Sequence, residues 1–318
     1  MKKILAILIA ALLLIPGRGY AGETVRIKPD TTLLFAEKES GNLYMDVYNP
    51  KSGSDKTFEN NPKPVILFVF GGGFISGKRD GRAYRPWFKE MTDNGYEVIS
   101  IDYRLGLKGY NGKIGIGAVK AVDKAIHMAV EDIFSATGYI LENARKLGIR
   151  KDGIVISGSS AGAIAVLQAD YELCNGTSYA DVLPADFRYA GVMSFSGAIL
   201  SRHGKLKYKT APAPTLMLHG TEDHVVNYNQ IKIFRLGFFG TNKITGRFHK
   251  FGYNYNTLRY TGHGHDIAEM MYETFPDQER FLENNVILKK KRIIDAMIDD
   301  PSIPIKKASK SRKELYGN

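Results

Sequence analysis

The chain has 318 residues, a single cysteine and a formal net charge of +11 at pH 7. That length is ample for one large core, and α/β folds of this size often run as a single unit even though it would also allow two domains. With Cys174 alone, no internal disulfide can form, and the basic excess lacks the aromatic interleaving or binding motif of a nucleic-acid partner, so no nucleic acid is expected.

Met1 to Ala21 begins with Lys2 and Lys3, continues as an apolar run from Ile4 to Ile15, and ends on the small residues Gly19 and Ala21. This is the pattern of a secretory signal peptide, expected to cover 1–21 and to be removed. The apolar run is too short to span a bilayer comfortably and no second run of that length follows, so a soluble exported protein is expected, periplasmic in a Gram-negative source. Residues 22–300 are expected to form the folded domain, and 301–318 a basic, flexible tail. The late basic runs read as a solvated helix face followed by that fraying tail.

In chain order, Thr32 to Glu37 and Asn42 to Tyr48 read as a hairpin turning at Ser40-Gly41, and Asn49 to Pro64 as a loop. Val65 to Phe70 is apolar on both faces and stops at Gly71-Gly72-Gly73, as a buried strand of a parallel sheet would. Arg82 to Asn94 is a helix, Glu97 to Asp102 a strand, and Ala118 to Leu147 a long helix whose apolar residues recur every three or four positions. Tyr189 to Phe195 and Thr215 to His219 are two more buried strands. Gly237 to Tyr255 has no clear period and reads as irregular surface, Thr257 to Thr261 as the last strand, and Gln278 to Ile298 as one closing helix. Alternating strands and helices imply an open, mostly parallel α/β sheet with its active residues in loops at the strand C-terminal ends.

One stretch carries a chemical signature. Ile154 to Ser157 is a strand, Gly158-Ser159-Ser160-Ala161-Gly162 a tight turn, and Ala161 to Leu173 a helix. Glycines two residues either side of Ser160 fit a nucleophile elbow, where larger side chains would strike the neighbouring strand or helix. A serine hydroxyl needs a base, and the base needs an orienting carboxylate. The turn after the Thr215 strand offers Glu222 and Asp223; the turn after the last strand offers His263 and His265. The order serine, acid, histidine differs from the chymotrypsin and subtilisin orders. His219, His127 and Cys174 read as packing residues. No His, Cys and carboxylate spacing fits a zinc site, and the glycine run lacks the Lys-Ser/Thr of a phosphate loop, so neither metal nor cofactor is expected.

Taken together, Val69-Phe70-Gly71-Gly72-Gly73-Phe74, Ile101-Asp102-Tyr103-Arg104-Leu105, the Asp152 to Gly162 block, His219 to Val226 and Gly262 to His265 resemble the α/β-hydrolase superfamily, in particular bacterial esterases of the hormone-sensitive-lipase and carboxylesterase type. The resemblance implies an α/β-hydrolase fold with Ser160 as nucleophile, Asp223 as acid and His265 as base. It further implies an oxyanion hole of the Gly72, Gly73 and Ala161 N–H groups. His265 closes the family's Gly-x-Gly-His pattern, leaving His263 to face the cleft rim or solvent. The departure is Phe70, where relatives carry a histidine that braces the glycine loop. The implied activity is serine esterase chemistry on small-molecule or glycan-linked esters, acetyl or feruloyl groups included. A serine exopeptidase on the same fold, or a binding protein that kept the scaffold, are the alternatives. Only Asn175 to Arg188 is available as a small cap.

Overall fold

A computed structural model describes residues 25–111 and 116–305. The expected signal peptide and the tail beyond residue 305 lie outside the described residues.

The hairpin forms from β1 (Thr31–Lys38) and β2 (Gly41–Tyr48), followed by two short bridged segments, β3 (Thr57–Phe58) and β4 (Asn61–Pro62). The central strands are β5 (Val65–Val69), β6 (Glu97–Ile101), β7 (Ile154–Ser159), β8 (Gly191–Phe195), β10 (Thr215–Gly220) and β13 (Tyr255–Tyr260), with β9 (Ala198–Ser201), β11 (Gln230–Ile233) and β12 (Leu236–Gly240) outside the main sheet. The helices are α1 (Arg85–Asp93), α2 (Ile116–Glu142), α3 (Ala144–Leu147), α4 (Ala161–Asn175), α5 (Thr241–Phe251) and α6 (Phe275–Phe281), and β14 (Ile293–Ile298) ends the described chain.

The nine-stranded sheet has the order β1-β2-β6-β5-β7-β8-β10-β13-β14. β1 to β2 and β2 to β6 are antiparallel, and β5 to β6, β5 to β7, β7 to β8, β8 to β10, β10 to β13 and β13 to β14 are parallel. β5, β7, β8 and β10 are buried at every residue, as continuous apolar strands covered on both faces must be. The N-terminal hairpin can pair antiparallel because it needs only a turn at the sheet edge.

Helix α4, which starts at the elbow, is buried from Ala161 to Cys174. Only a helix covered all round tolerates so little polar surface. Under the glycine loop, Phe68 packs on Tyr84, Trp87 and Phe88 with ring centroids 4.7, 5.2 and 5.3 Å away, and the Trp87 indole N–H donates to Gln278 Oε1 at 2.7 Å, fastening α1 to α6.

Two segments differ from the sequence expectation. Gly237 to Tyr255 is ordered as β12 and α5, whose Thr241, Ile244, Thr245 and Phe248 share one buried face. The closing helix stops early: α6 is followed by a wide turn at Leu282–Ile287, and Lys289 takes a positive φ of 50°. Ile293–Ile298 is then an edge strand, its exposure alternating residue by residue. Apolar spacing alone could not separate the two, because the same residues satisfy a helical count and a two-residue alternation.

Candidate active site

Ser160 stands between β7 and α4 with φ 53° and ψ −116°, a strained pair of angles for a residue with a Cβ. The flanking glycines explain how the turn closes. A Cβ on Gly158 would lie 2.4 Å from the Gly162 backbone, and one on Gly162 would lie 2.0 Å from the Val69 carbonyl oxygen. The Ser160 N–H donates to Phe195 O at 2.9 Å, which ties the elbow to β8.

Asp223 lies in the turn after β10 and His265 in the turn after β13, and parallel pairing of these strands brings the two turns to the same sheet edge as Ser160. Ser160 Oγ is 2.8 Å from His265 Nε2, and His265 Nδ1 is 2.8 Å from Asp223 Oδ2. A carboxylate can only accept, so Nδ1 carries the proton and Nε2 is free to accept from the serine hydroxyl. Asp223 Oδ1 takes the N–H groups of Val225 and Val226 at 2.8 and 3.0 Å, so the carboxylate is held from both sides.

The electrostatics follow from this file of groups. Burial alone would raise Asp223, but the charge and hydrogen bond of His265 and the hydrogen bond of His219 hold its carboxyl well below the usual range. Burial lowers His265, yet the charge and hydrogen bond of Asp223, with smaller contributions from Glu269 and Asp266, leave its pKa above the usual histidine value. The imidazolium formed when a serine proton is taken up is therefore stabilised at this site.

The other candidates sit elsewhere. The Glu222 side chain is 66% exposed and approaches His224 rather than an active-site histidine. His263 is buried, not solvent-facing, with Nδ1 donating to Asp266 Oδ2 at 2.8 Å while Asp266 Oδ1 accepts the Gly264 N–H at 2.9 Å. That pairing pins the loop, and the histidine bonded to Ser160 is His265.

The glycine loop lies against Ser160: a Cβ on Gly71 would be 3.2 Å from Ser160 Cβ. Gly72 and Gly73 have φ of 119° and 65°, which only glycine adopts readily. Their N–H groups donate to no acceptor among the described residues, and the Ala161 N–H, at the first position of α4, has no partner within the helix. Unpaired donors of this kind beside a serine are what a developing oxyanion requires.

The BD-FAE family model matches residues 45–197. Lipase 1 of Geotrichum candidum is 29% identical over 168 residues, which is 52% of this chain and 27% of the lipase. Gut esterase 1 of Caenorhabditis briggsae is 30% identical over 126 residues, 40% of this chain and 20% of that protein. The match thus spans about a quarter of the length of such relatives. The solved structure of native Est2, an esterase from the Planctomycetes species Thermogutta terrifontis, shares the fold with a TM-score of 0.56 at 20% identity, covering 82% of this chain and 96% of that one. The chain has the α/β-hydrolase fold of that esterase.

In this α/β-hydrolase fold, tyrosines hold the glycine loop, in which Phe70 stands where the resemblance puts a histidine. The Gly71 N–H donates to Tyr84 Oη at 2.8 Å, Tyr103 Oη–H donates to Phe70 O at 3.0 Å, and the Phe70 and Tyr103 rings pack at a tilt with centroids 4.4 Å apart. Farther along the loop, Arg79 pairs with Asp46 at 2.9 Å and Asp102 at 2.6 Å. Sequence reasoning missed this bracing, although Tyr103 sits in the Asp102-Tyr103-Arg104 block that carries the resemblance.

It also missed Ser159, the elbow's other serine, whose hydroxyl donates to Ala268 O at 2.7 Å and clamps the histidine turn onto the elbow. The segment Asn175 to Arg188 does not cap the site. It leaves the C-terminal end of α4, about 20 Å along the helix from Ser160, and stacks Tyr179 on His127 of α2 with ring centroids 4.6 Å apart.

Proposed function

We propose that this protein is an exported serine esterase that cleaves carboxylic esters through an acyl-enzyme, acting on short-chain or carbohydrate-linked esters such as acetyl or feruloyl groups. The observation that carries the reading is the unbroken file Ser160–His265–Asp223, with links of 2.8 and 2.8 Å, beside the free N–H groups of Gly72, Gly73 and Ala161.

The Ser160 hydroxyl oxygen attacks the ester carbonyl carbon while its proton passes to His265 Nε2. Charge moves onto the carbonyl oxygen and is received by the loop and elbow amides. His265 then hands the proton to the leaving alcohol, whose C–O bond breaks, and Ser160 is left acylated. Water, deprotonated by His265, attacks the acyl-enzyme; the acid departs and the serine regains its proton. Asp223 keeps its charge throughout and stabilises the imidazolium. The absence of a long apolar insertion in the sequence supports small or polar esters over long-chain triglyceride. The reading includes removal of Met1 to Ala21 during export, to the periplasm in a Gram-negative source.

The test is direct. The intact protein hydrolyses p-nitrophenyl acetate and is labelled at Ser160 by a fluorophosphonate, and Ser160→Ala loses both while keeping its circular dichroism spectrum. Undiminished turnover by that variant would overturn the assignment. A panel across acyl length and acetylated or feruloylated glycans reads the substrate class, and N-terminal sequencing of the exported product reads the cleavage.

A further inference from the structure

The chain of polar contacts does not end at Asp223. His219, the penultimate residue of β10, is fully buried, and its Nε2 lies 3.1 Å from Asp223 Oδ2, the same oxygen that accepts from His265. Nε2 is also 2.9 Å from the Val226 carbonyl oxygen. Both neighbours of Nε2 are acceptors, so Nε2 carries a proton. On the other side of the ring, Nδ1 is 2.8 Å from Oγ1 of Thr241, the first residue of α5 and itself fully buried. One file therefore runs Ser160, His265, Asp223, His219, Thr241 from the elbow to the helix behind the acid turn.

We infer that His219 is a positioning residue of the active site, which shares Asp223 Oδ2 with His265 and so limits how strongly the carboxylate draws a proton onto the base. The inference rests on the esterase reading for its consequence in turnover, but the sharing itself is a property of the folded protein. The His219 Nε2–H, hydrogen-bonded to Val226 O, sets a second positive end 3.1 Å from the carboxylate oxygen that accepts from His265, and so offsets part of its charge. Withdrawing the His219 donor concentrates the carboxylate's charge on His265 and makes the imidazolium more stable.

Thr241 acts one step further out. Its hydroxyl, donating to Nδ1, fixes the tautomer with the proton on Nε2, and a bond received at one ring nitrogen strengthens the bond given from the other. The charged and titratable groups around the two rings are few. His265 faces Asp223 from the β10 turn and Asp266 and Glu269 from its own turn. His219 faces Asp223 and the edge of the Tyr228 ring, whose centroid is 5.6 Å away, with Arg259 of β13 behind that ring. Among the described residues none of the others is paired with Asp223 Oδ2, so the effect of His219 is separable from theirs.

The experiment is a histidine-ring NMR titration of the whole folded protein, with the His265 signal assigned by its absence in His265→Asn. In His219→Phe, which keeps an aromatic ring and removes both ring nitrogens, the His265 pKa is expected to rise by about half a unit or more. Thr241→Val, which keeps the volume and removes the hydroxyl, is expected to give a smaller rise, and His219→Gln, whose amide N–H can reach the Nε2 position, a value near that of the unmodified protein. The acid limb of kcat/KM for p-nitrophenyl acetate moves with it. A purely structural His219 would lower the melting temperature and leave the His265 titration in place. An unchanged or lowered His265 pKa in His219→Phe, or in Thr241→Val if the first variant does not fold, overturns the inference. Fluorophosphonate labelling of the unmodified protein separates the two ideas: failed labelling sinks the esterase reading, whereas the titration judges the sharing regardless of turnover.

Discussion

At the scale of single residues, two histidines lie two positions apart in one loop and are given different surroundings. His265 Nδ1 meets a buried carboxylate in the β10 turn and its Nε2 meets Ser160, whereas His263 is paired to Asp266 in its own loop. His265→Ala is therefore expected to lower kcat/KM by three or more orders of magnitude, in the range seen when a member of such a triad is removed. His263→Ala is expected to cost far less and to act through loop order; the reverse ranking would show that the base was misassigned. The same contacts set a pH dependence. His265 accepts a proton only when neutral, and its neighbours hold its pKa above the usual histidine value, so activity should be full on the alkaline side and fall as pH drops through a midpoint above about 6.5. A midpoint clearly below that value in a kcat/KM profile would contradict the geometry.

At the scale of elements, what could be read from the sequence was whatever backbone geometry dictates. β5 and β7 were legible because strands buried on both faces must be apolar throughout, and the elbow because Gly158 and Gly162 occupy places where any Cβ meets backbone. The loop bracing was not legible, since Tyr84 and Tyr103 approach Gly71 and Phe70 only after the sheet and α1 are in place. Helix α5 was missed because Gly246 and the surrounding aromatics hide a face made of Thr241, Ile244, Thr245 and Phe248. Within α4 the sequence also conceals a cost. Asp170 is buried, its Oδ1 has no partner among the described residues, and its Oδ2 accepts only the Ala213 N–H at 3.3 Å and a distant Cys174 thiol. Burial pushes this carboxyl up to about 7. Because the folded pKa lies above the unfolded one, the folded state holds the proton longer, and stability is lost as pH rises from about 4 to about 7. Asp170→Asn keeps an acceptor for Ala213 and removes the ionisation. Its melting temperature should match the unmodified protein near pH 4 and exceed it above pH 7, by a margin worth on the order of 2 kcal/mol or more. Equal melting temperatures at both ends would show that Asp170 ionises without penalty.

At the scale of the molecule, one parallel sheet does the positioning: the glycine loop, the elbow, the acid turn and the histidine turn follow β5, β7, β10 and β13, and all emerge at the same edge. The far strand β14 belongs to this arrangement although it holds no site residue. It pairs with β13 along its whole length, and the Thr261 N–H, at the mouth of the histidine turn, donates to Ile298 O at 2.8 Å. Asp295 of β14 takes the Arg259 guanidinium, which also donates to Asn242 at 2.8 Å and to Tyr228, so the edge strand is tied to α5 and to the acid turn. Ending the chain at Arg292 removes these bonds and leaves β13 as an unprotected edge, a template for pairing between copies. The shortened protein is expected to aggregate on gel filtration, and its remaining monomer to lose the proposed esterase activity because the His265 turn is no longer pinned at Thr261. The milder Asp295→Ala keeps the strand but frees Arg259; an exposed ion pair contributes up to about 1 kcal/mol, so a small drop in melting temperature with near-normal turnover is expected. Full activity in a monomeric chain ending at Arg292 would show that β13 alone fixes the histidine turn and that β14 is an accessory edge.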